Sequence, residues 1–202
     1  MTDHYFSAEP ATAEDRHTMQ IELAGRTVEV VSANGVFSAE RLDKATRILL
    51  DAVPLPPASG NALDIGCGWG PIALSLALHS PELKVWAIDV NERALDLTRR
   101  NAELLGCSNL VAGTAAVVPE EVRFDVIWSN PPIRIGKAEL DALLATWLPR
   151  LALGGSAWMV VGKNLGADSL QRRLADLLGT DFSVHRHSTS GGFRILRVDR
   201  VQ

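Results

Sequence analysis

The chain has 202 residues, a length at which one α/β domain can bury a sizeable core. Hydrophobic residues make up 47% and charged residues 22%, as in ordinary globular proteins, and no run of 18 apolar residues predicts a membrane span. A net charge of -4 excludes nucleic-acid binding driven by overall charge and leaves only a local basic patch for such a role.

The termini and the cysteines bear on compartment and metal binding. Residues 1–16 are polar and of mixed charge, without the apolar core of a secretory signal. Cys67 and Cys107 have neither the spacing of a metal site nor that of a disulfide framework. We therefore expect a cytoplasmic protein with no metal site.

The N-terminal part of the chain is predicted to contain an arm, a hairpin and a helix. Residues 1–18 show little periodicity and are expected to form the arm. Residues 20–31 alternate apolar and polar side chains about a central glycine, which is typical of a β-hairpin. Ser38 is expected to cap a helix that runs to about Ala52. A proline-rich connector follows it and does not indicate a second domain.

The rest of the chain alternates short apolar strands with helices. Strands are predicted at 62–65, 85–88, 110–113, 124–129 and 156–161, and helices at 71–78, 92–105, 138–153 and 167–178. Pro149 is expected to end or kink the third of these helices. Two further strands, at 182–187 and 193–198, are expected to close the sheet as an antiparallel pair. This alternation predicts a parallel sheet with helices on both faces.

The most informative stretch surrounds the first of these strands. Residues 62–70 read Ala-Leu-Asp-Ile-Gly-Cys-Gly-Trp-Gly, with a helix directly after them. Strand, glycine turn and helix make the first half of a nucleotide-binding βαβ unit. The next strand ends at Asp89, 23 residues past Gly66, close to the spacing of ~20 expected for a carboxylate that binds ribose hydroxyls.

Two departures from the dinucleotide pattern favour a cationic ligand. Pro71 stands where G-x-G-x-x-G requires its last glycine, and Asp64 before the turn would repel a pyrophosphate. S-adenosylmethionine carries an ammonium, a sulfonium and a ribose. The pattern therefore favours this cofactor over NAD, with a different mononucleotide as the alternative. Trp69, inside the turn, is expected to cover the cofactor.

The fourth strand runs directly into Asn130-Pro131-Pro132. The side-chain oxygen of Asn130 and the free carbonyl of Pro131 are two acceptors held close together by a stiff turn. Two such acceptors fit the two hydrogens of an NH2 group. With both hydrogens held, the nitrogen lone pair is available for attack on a methyl carbon. Asn130 and Pro131 are therefore the predicted catalytic residues. A turn that only ends the strand is the alternative.

These motifs together resemble those of a known family. The chain is similar to class I S-adenosylmethionine-dependent methyltransferases of the methyltransferase small domain family, and among them to small-subunit ribosomal RNA guanine-N2 methyltransferases. Besides the glycine turn and Asp89, the resemblance rests on these short segments: His4-Tyr5-Phe6-Ser7, Gly35-Val36-Phe37-Ser38 with Leu42-Asp43, Asn130-Pro131-Pro132-Ile133-Arg134 with Gly136-Lys137, Lys163 with Gly166-Ala167, and Gly191-Gly192-Phe193-Arg194.

The resemblance implies a Rossmann-like α/β fold with a seven-stranded, mostly parallel sheet, helices on both faces and the last strand antiparallel. It also implies that residues 1–60 form the arm, hairpin and a helix covering the cofactor. Residues 61–202 would form the methyltransferase domain, within one structural domain overall.

The resemblance further implies two sets of site residues. Cofactor contacts are expected from Phe37, Asp64, Gly66, Cys67, Gly68, Asp89, Val90, Thr114, Ala115 and Asn130. Substrate contacts are expected from Pro132, Ile133, Arg134 and Lys163. Thr114 stands where many relatives place an acid for the adenine amine, and Ile133 where many place an aromatic residue that stacks on the target.

The expected activity is methyl transfer from S-adenosylmethionine to an exocyclic amine of RNA, at N2 of a guanine in small-subunit ribosomal RNA. The expected partner is ribosomal RNA or a ribosomal subunit, with no membrane and an undetermined oligomeric state. A glutamine amide on a protein, or a non-catalytic scaffold that only binds the cofactor, are the alternatives. The C-terminal arginines are expected either to contact phosphates or to form a solvated edge strand: Arg186, Arg194, Arg197 and Arg200.

Overall fold

A computed structural model describes residues 13–202 of the chain. The segment His4-Tyr5-Phe6-Ser7 lies outside the described residues. Within them are nine β-strands and five α-helices, numbered below in chain order.

The first two strands form a separate antiparallel hairpin. β1 (Arg16–Leu23) pairs with β2 (Arg26–Ala33) along its whole length. Its buried apolar face packs into the same core as the helices of the main sheet, which gives a two-stranded ribbon the support it lacks alone. β1 begins within the stretch expected to be an arm. The expectation was wrong for residues 16–18. These first positions of β1 are exposed and polar, so they lack the alternation that predicts a strand, and backbone pairing with β2 holds them in place.

Turns then lead to α1 (Lys44–Ala52), and this helix is capped by Asp43. The Asp43 carboxylate accepts a hydrogen bond from the backbone N–H of Thr46 at 3.0 Å. Ser38 is not the cap, contrary to the prediction. It has a positive φ of 51°, and its hydroxyl donates to the carbonyl of Arg41 at 2.7 Å, so it closes a turn before the helix begins.

The main sheet has seven strands in the order β5-β4-β3-β6-β7-β9-β8. Every neighbouring pair from β5 to β7 is parallel, and β9 runs antiparallel to both β7 and β8. The expected sheet, with its last strand antiparallel, is therefore confirmed. The strands are β3 (Ser59–Ile65), β4 (Glu82–Ile88), β5 (Leu110–Gly113), β6 (Phe124–Ser129), β7 (Leu151–Gly162), β8 (Phe182–Ser190) and β9 (Phe193–Arg200).

Helices cover both faces of this sheet. α1, α2 (Pro71–His79), α3 (Glu92–Leu104) and the hairpin share one buried cluster, and α4 (Lys137–Trp147) and α5 (Ala167–Leu178) share the other. α4 ends at Trp147, before the predicted Leu153 and close to Pro149, which was expected to end or kink it. Pro149 lies in the short 3-10 turn that follows it and has no N–H to continue a helix. β7 consequently begins at Leu151, earlier than predicted.

Two features are absent from the described part of the chain. None of its helices is long and apolar enough to cross a membrane. It also contains no group of three or more His, Cys, Asp or Glu side chains arranged to hold a metal ion.

Candidate active site

A cavity of about 400 Å³ opens at the carboxyl ends of β3, β4 and β6. From β3 the sheet extends to β4 on one side and to β6 on the other, and ligands of open α/β sheets bind at such a switch point. Eleven of the predicted site residues line the cavity: Phe37, Gly66, Gly68, Asp89, Val90, Ala115, Asn130, Pro131, Pro132, Ile133 and Arg134. Four do not: Asp64, Cys67, Thr114 and Lys163.

The glycine turn lies across the tips of β3 and β4. The N–H groups of Gly66 and Cys67 both donate to the carbonyl of Ile88, at 2.9 and 3.0 Å. Gly68 adopts a φ of +57°, and a Cβ placed there would meet no atom within 4 Å. The turn therefore follows a path that favours glycine and leaves open space above itself for a ligand.

Asp89 is tied to this turn by both of its carboxylate oxygens. Oδ2 accepts from the N–H of Gly68, and Oδ1 accepts from the N–H of Asn91, each at 2.9 Å. Burial raises the pKa of Asp89, and these backbone donors oppose the rise. The two bonds fix the carboxylate at the cavity wall, and its remaining lone pairs are available to hydroxyl groups.

Asp64 lies behind the turn, with no exposure to solvent. Its Oδ2 accepts from the N–H of Ala73 in the first turn of α2 at 3.0 Å. Its Oδ1 is buried and has no hydrogen-bond partner among the described residues. Burial raises the pKa of Asp64 well above the usual range, and the nearby charge of Asp89 adds to this. Such an unpartnered acceptor fits a site that receives a cationic ligand.

Asn130 follows β6, and α1 holds its side chain. Its Nδ2 donates to Asp43 Oδ2 and to Thr46 Oγ1, both at 3.1 Å. A carboxylate can only accept, so the NH2 end of the amide must face α1. Both amide hydrogens then have partners, and Oδ1 is the atom left to accept from a ligand. Sequence reasoning quoted Asp43 only as part of the family resemblance and did not predict its contact with Asn130. It missed Thr46 altogether.

The Pro131 carbonyl is not free, contrary to the prediction. It accepts a hydrogen bond from the N–H of Ile133 at 2.8 Å. Pro132, between them, has φ -74° and ψ 72°, the values of an inverse γ-turn, which brings the amide of the second following residue back to this oxygen. The prolines supply no competing N–H, but Ile133 does. One lone pair of the carbonyl remains for a ligand.

Apolar side chains from distant elements close the far side of the cavity. Leu143 and Trp147 come from α4, Val160 from β7 and Phe193 from β9, with Leu165 from the turn after β7. Of these residues, only Phe193 lies in a segment quoted in the sequence analysis. The others have the apolar pattern of ordinary core residues, so no local signal in the sequence distinguishes them.

Trp69, Cys67 and Thr114 are placed differently from what was expected. Trp69 is buried in the core, and its indole N–H donates to the carbonyl of Ser38 at 3.2 Å, so it anchors the segment that carries Phe37 rather than covering the cavity. The Cys67 thiol is buried 3.6 Å from the Thr98 hydroxyl. Thr114 is exposed beside the cavity, which Ala115 lines in its place.

The C-terminal arginines are mostly engaged within the protein. Arg194 is buried and pairs with Asp168, and Arg197 pairs with Asp199 at 2.7 Å. Arg200 donates to a backbone carbonyl at the start of β7 at 2.8 Å. These contacts favour a structural role for three of the four side chains.

Comparisons with known proteins agree with this geometry. A model of the methyltransferase small domain matches residues 27–197. YbxB from Bacillus subtilis (strain 168) is 33% identical over 204 aligned positions that span all of both chains. Ribosomal RNA small subunit methyltransferase C from Escherichia coli (strain ATCC 8739) is 29% identical over 194 positions, covering 94% of this chain and 54% of that protein.

A solved structure shows the same fold. The Thermus thermophilus 16S rRNA N2 G1207 methyltransferase (RsmC), in complex with AdoMet and guanosine, superposes with a TM-score of 0.75 at 23% identity. The match covers 92% of this chain and 50% of that one. The chain thus spans about half the length of the ribosomal RNA methyltransferases it matches.

Proposed function

We propose that this chain, which belongs to the methyltransferase small domain family and is an S-adenosylmethionine-dependent methyltransferase, methylates an exocyclic amine of RNA. The proposed target is N2 of a guanine in small-subunit ribosomal RNA. The observation that carries the proposal is the Asn130 amide. Its two hydrogens are held by α1, and its oxygen is left to accept from an NH2 group beside the Pro131 carbonyl.

The cofactor side of the cavity has the chemistry that S-adenosylmethionine requires. When bound, this group supplies an electrophilic methyl carbon next to a sulfonium. Asp89 would accept from the ribose hydroxyls, and Asp64 behind the turn would stabilise the positive charge. The backbone of Gly66 and Gly68 leaves room for close approach. Apolar contacts to the adenine are expected from Phe37, Val90 and Ala115, which line the same cavity.

The target amine would be held at the tip of β6. Asn130 Oδ1 and the second lone pair of the Pro131 carbonyl accept its two hydrogens, which directs the nitrogen lone pair toward the methyl donor. The same oxygens stabilise the positive charge that develops on nitrogen during attack. The apolar wall excludes water around them. The proton leaves after transfer, so no strong base is required.

A group of cations surrounds the substrate side, and we define it here as the cationic rim: Lys44, Arg134, Lys137 and Lys163. Arg134 lines the cavity, and Lys163 follows Gly162, which also lines it. Lys137 is the first residue of α4, three residues after Arg134. Lys44 lies against the β8–β9 turn. Its Nζ is 3.5 Å from the position that a Cβ on Gly191 would occupy. None of the four forms an ion pair with an acid in residues 13–202. Free cations beside the pocket suit RNA phosphates.

The catalytic role is tested with Asn130→Ala. We expect turnover on RNA to fall by about 10²- to 10³-fold, the size of effect seen when one preorganised polar group is removed from a transition state. The Kd for S-adenosylmethionine, measured by calorimetry, should stay within about threefold, because Asp89 and the glycine turn are untouched. Equal turnover by the variant and the parent would remove Asn130 from the mechanism.

The substrate is tested by radiolabel transfer from S-adenosylmethionine to stripped ribosomal RNA and, in parallel, to cell protein. Label in RNA, released as N2-methylguanosine on digestion, is the expected result. Label in protein alone would favour a glutamine amide instead. Cofactor binding without any transfer would favour a scaffold. Mass mapping of ribosomal RNA from cells lacking the chain should show one guanine without its N2-methyl group.

A further inference from the structure

We propose that Asp43 and Thr46 are positioning residues that set the orientation of the Asn130 amide; this inference rests on the proposed function. Asp43 Oδ2 and Thr46 Oγ1 each lie 3.1 Å from Asn130 Nδ2. The two acceptors stand at the first turn of α1, whereas Asn130 stands at the end of β6. The N-terminus of α1 therefore decides which face the amide presents to the cavity.

The orientation matters because the two ends of an amide are opposite in hydrogen-bonding character. If the Asn130 side chain rotated by 180°, Nδ2 would face the incoming amine, and two donors would oppose each other. An amide without fixed partners would divide its time between both orientations. With both hydrogens bonded to α1, the acceptor end faces the cavity before substrate arrives. Such preorganisation lowers the cost of reaching the transition state.

Helix capping alone does not explain this arrangement. Asp43 caps α1 through the N–H of Thr46, and the same Oδ2 also accepts from Asn130. A cap requires only an acceptor for the helix N–H, and Ser, Asn and Asp serve about equally well. Reaching Asn130 requires the longer side chain of Asp or Asn. Thr46 is buried, and its hydroxyl supplies a second acceptor that helix formation does not require.

Three substitutions separate positioning from capping. Asp43→Ser keeps a good cap but is too short to reach Asn130, so we expect kcat on RNA to fall about tenfold. Asp43→Asn can offer its carbonyl oxygen to both donors and should lose less than about threefold. Thr46→Val keeps the shape of the side chain and removes its acceptor, so we expect about a fivefold loss. KM for RNA and the Kd for S-adenosylmethionine should each stay within about twofold. A tenfold loss corresponds to about 1.4 kcal/mol, near the upper end of the range for a typical hydrogen bond.

A control substitution accounts for any loss of stability. Asp141 pairs with Arg173 between α4 and α5 at 2.7 Å, and neither residue lines the cavity. Asp141→Ser removes a partly buried carboxylate in the same way as Asp43→Ser. We expect this control to lower the Tm while keeping kcat. An equal fall of kcat in both variants would assign the effect to stability and overturn the inference.

A second readout needs neither cofactor nor substrate. The two side-chain N–H signals of Asn130, identified by their loss in Asn130→Ala, should exchange slowly with solvent and faster in Asp43→Ser. If Asp43→Ser kept both the N–H exchange rates and the kcat of the parent, the inference would be overturned. So would an Asp43→Asn variant as inactive as Asp43→Ser, since the carboxylate charge would then be what matters. Absence of RNA methylation by the parent would instead count against the proposed function, and the exchange rates would still test the hydrogen bonds.

Discussion

Asp64 combines complete burial with an oxygen that lacks a hydrogen-bond partner among the described residues. Folding removes this carboxyl group from water and replaces its hydration with one backbone N–H, from Ala73. The charged form therefore costs more in the folded chain than in the unfolded chain. The pKa of Asp64 is raised for the same reason, because burial disfavours the charged form. A ligand cation next to the turn would offset part of this cost, which links a destabilising residue to the proposed cofactor.

This raised pKa predicts a pH-dependent difference between the parent and Asp64→Asn. A carboxyl group whose pKa is raised on folding contributes its full stability below the unfolded pKa of about 3.9, and loses that contribution as pH rises through the folded pKa. Asn does not titrate. The free energy of unfolding of the parent, minus that of Asp64→Asn, should therefore fall as pH rises above about 4, with a slope approaching 1.4 kcal/mol per pH unit. Urea unfolding of both proteins between pH 4.5 and pH 7.5 measures it, and a constant difference would contradict the assigned cause.

At the scale of single elements, β7 depends on a tight contact that its sequence does not reveal. The pairing of β6 with β7 shifts register between Phe124 and Val126. At this irregularity a Cβ on Gly155 would lie 2.7 Å from the carbonyl oxygen of Phe124 and 2.9 Å from that of Ala152. Both obstacles are backbone atoms, so neither can move without disturbing the strands that end at the cavity.

We therefore expect Gly155→Ala to destabilise the fold by about 3 kcal/mol, the upper part of the range for an overpacked site. For a chain of this length that corresponds to a Tm lower by roughly 6–12 °C. Gly154→Ala is the matched control. Its Cβ would meet nothing within 4 Å, but its φ is +78°, so it should lose only about 1–2 kcal/mol through backbone strain. Calorimetric scans of both variants make the comparison, and equal losses would show that the close contacts carry no cost.

The same scale shows what local sequence could predict. The amphipathic run of α5 and the apolar run of β6 were placed with their observed bounds, because each is set by periodicity and flanking turn residues. The cap of α1 was misplaced because Ser38 and Asp43 are both good caps, and only the turns between them decide. The Pro131 carbonyl was mistaken for a free acceptor because a γ-turn depends on the ψ of Pro132, which sequence does not fix.

The apolar wall of the cavity belongs to the scale of the whole molecule. Trp147 and Phe193 lie far apart in the chain, and both line the cavity because α4 packs beside the sheet and β9 inserts next to β7. The glycine turn and the Asn130 segment, by contrast, each carry their chemistry within a few residues. Local sequence was therefore enough to predict both ends of the proposed reaction. The substrate surface between them is a product of topology, and sequence could not supply it.

Charge is distributed in a way that net charge conceals. The chain carries -4 overall, so its mean field repels a polyanion. The cationic rim reverses the sign locally, at the carboxyl edge of the sheet where the cavity opens. Association with RNA should therefore depend on a few side chains and respond strongly to salt, since each phosphate contact releases condensed counterions.

Replacing two rim residues, as Lys44→Gln with Lys163→Gln, tests this distribution directly. If each contacts a phosphate of single-stranded RNA, the slope of log K against log salt concentration should become shallower by about 0.7 per cation, or about 1.4 for the pair. Affinity should fall to a similar degree for RNAs of different sequence, because phosphates carry no base identity.

The matched control is Arg123→Gln, which removes one positive charge next to the first residue of β6, at the opposite edge of the sheet. This variant should leave the slope unchanged. Fluorescence anisotropy titrations between about 50 and 200 mM salt would give these slopes. If the double variant and Arg123→Gln shift the slope equally per charge removed, RNA responds to net charge alone and the rim has no special part in binding.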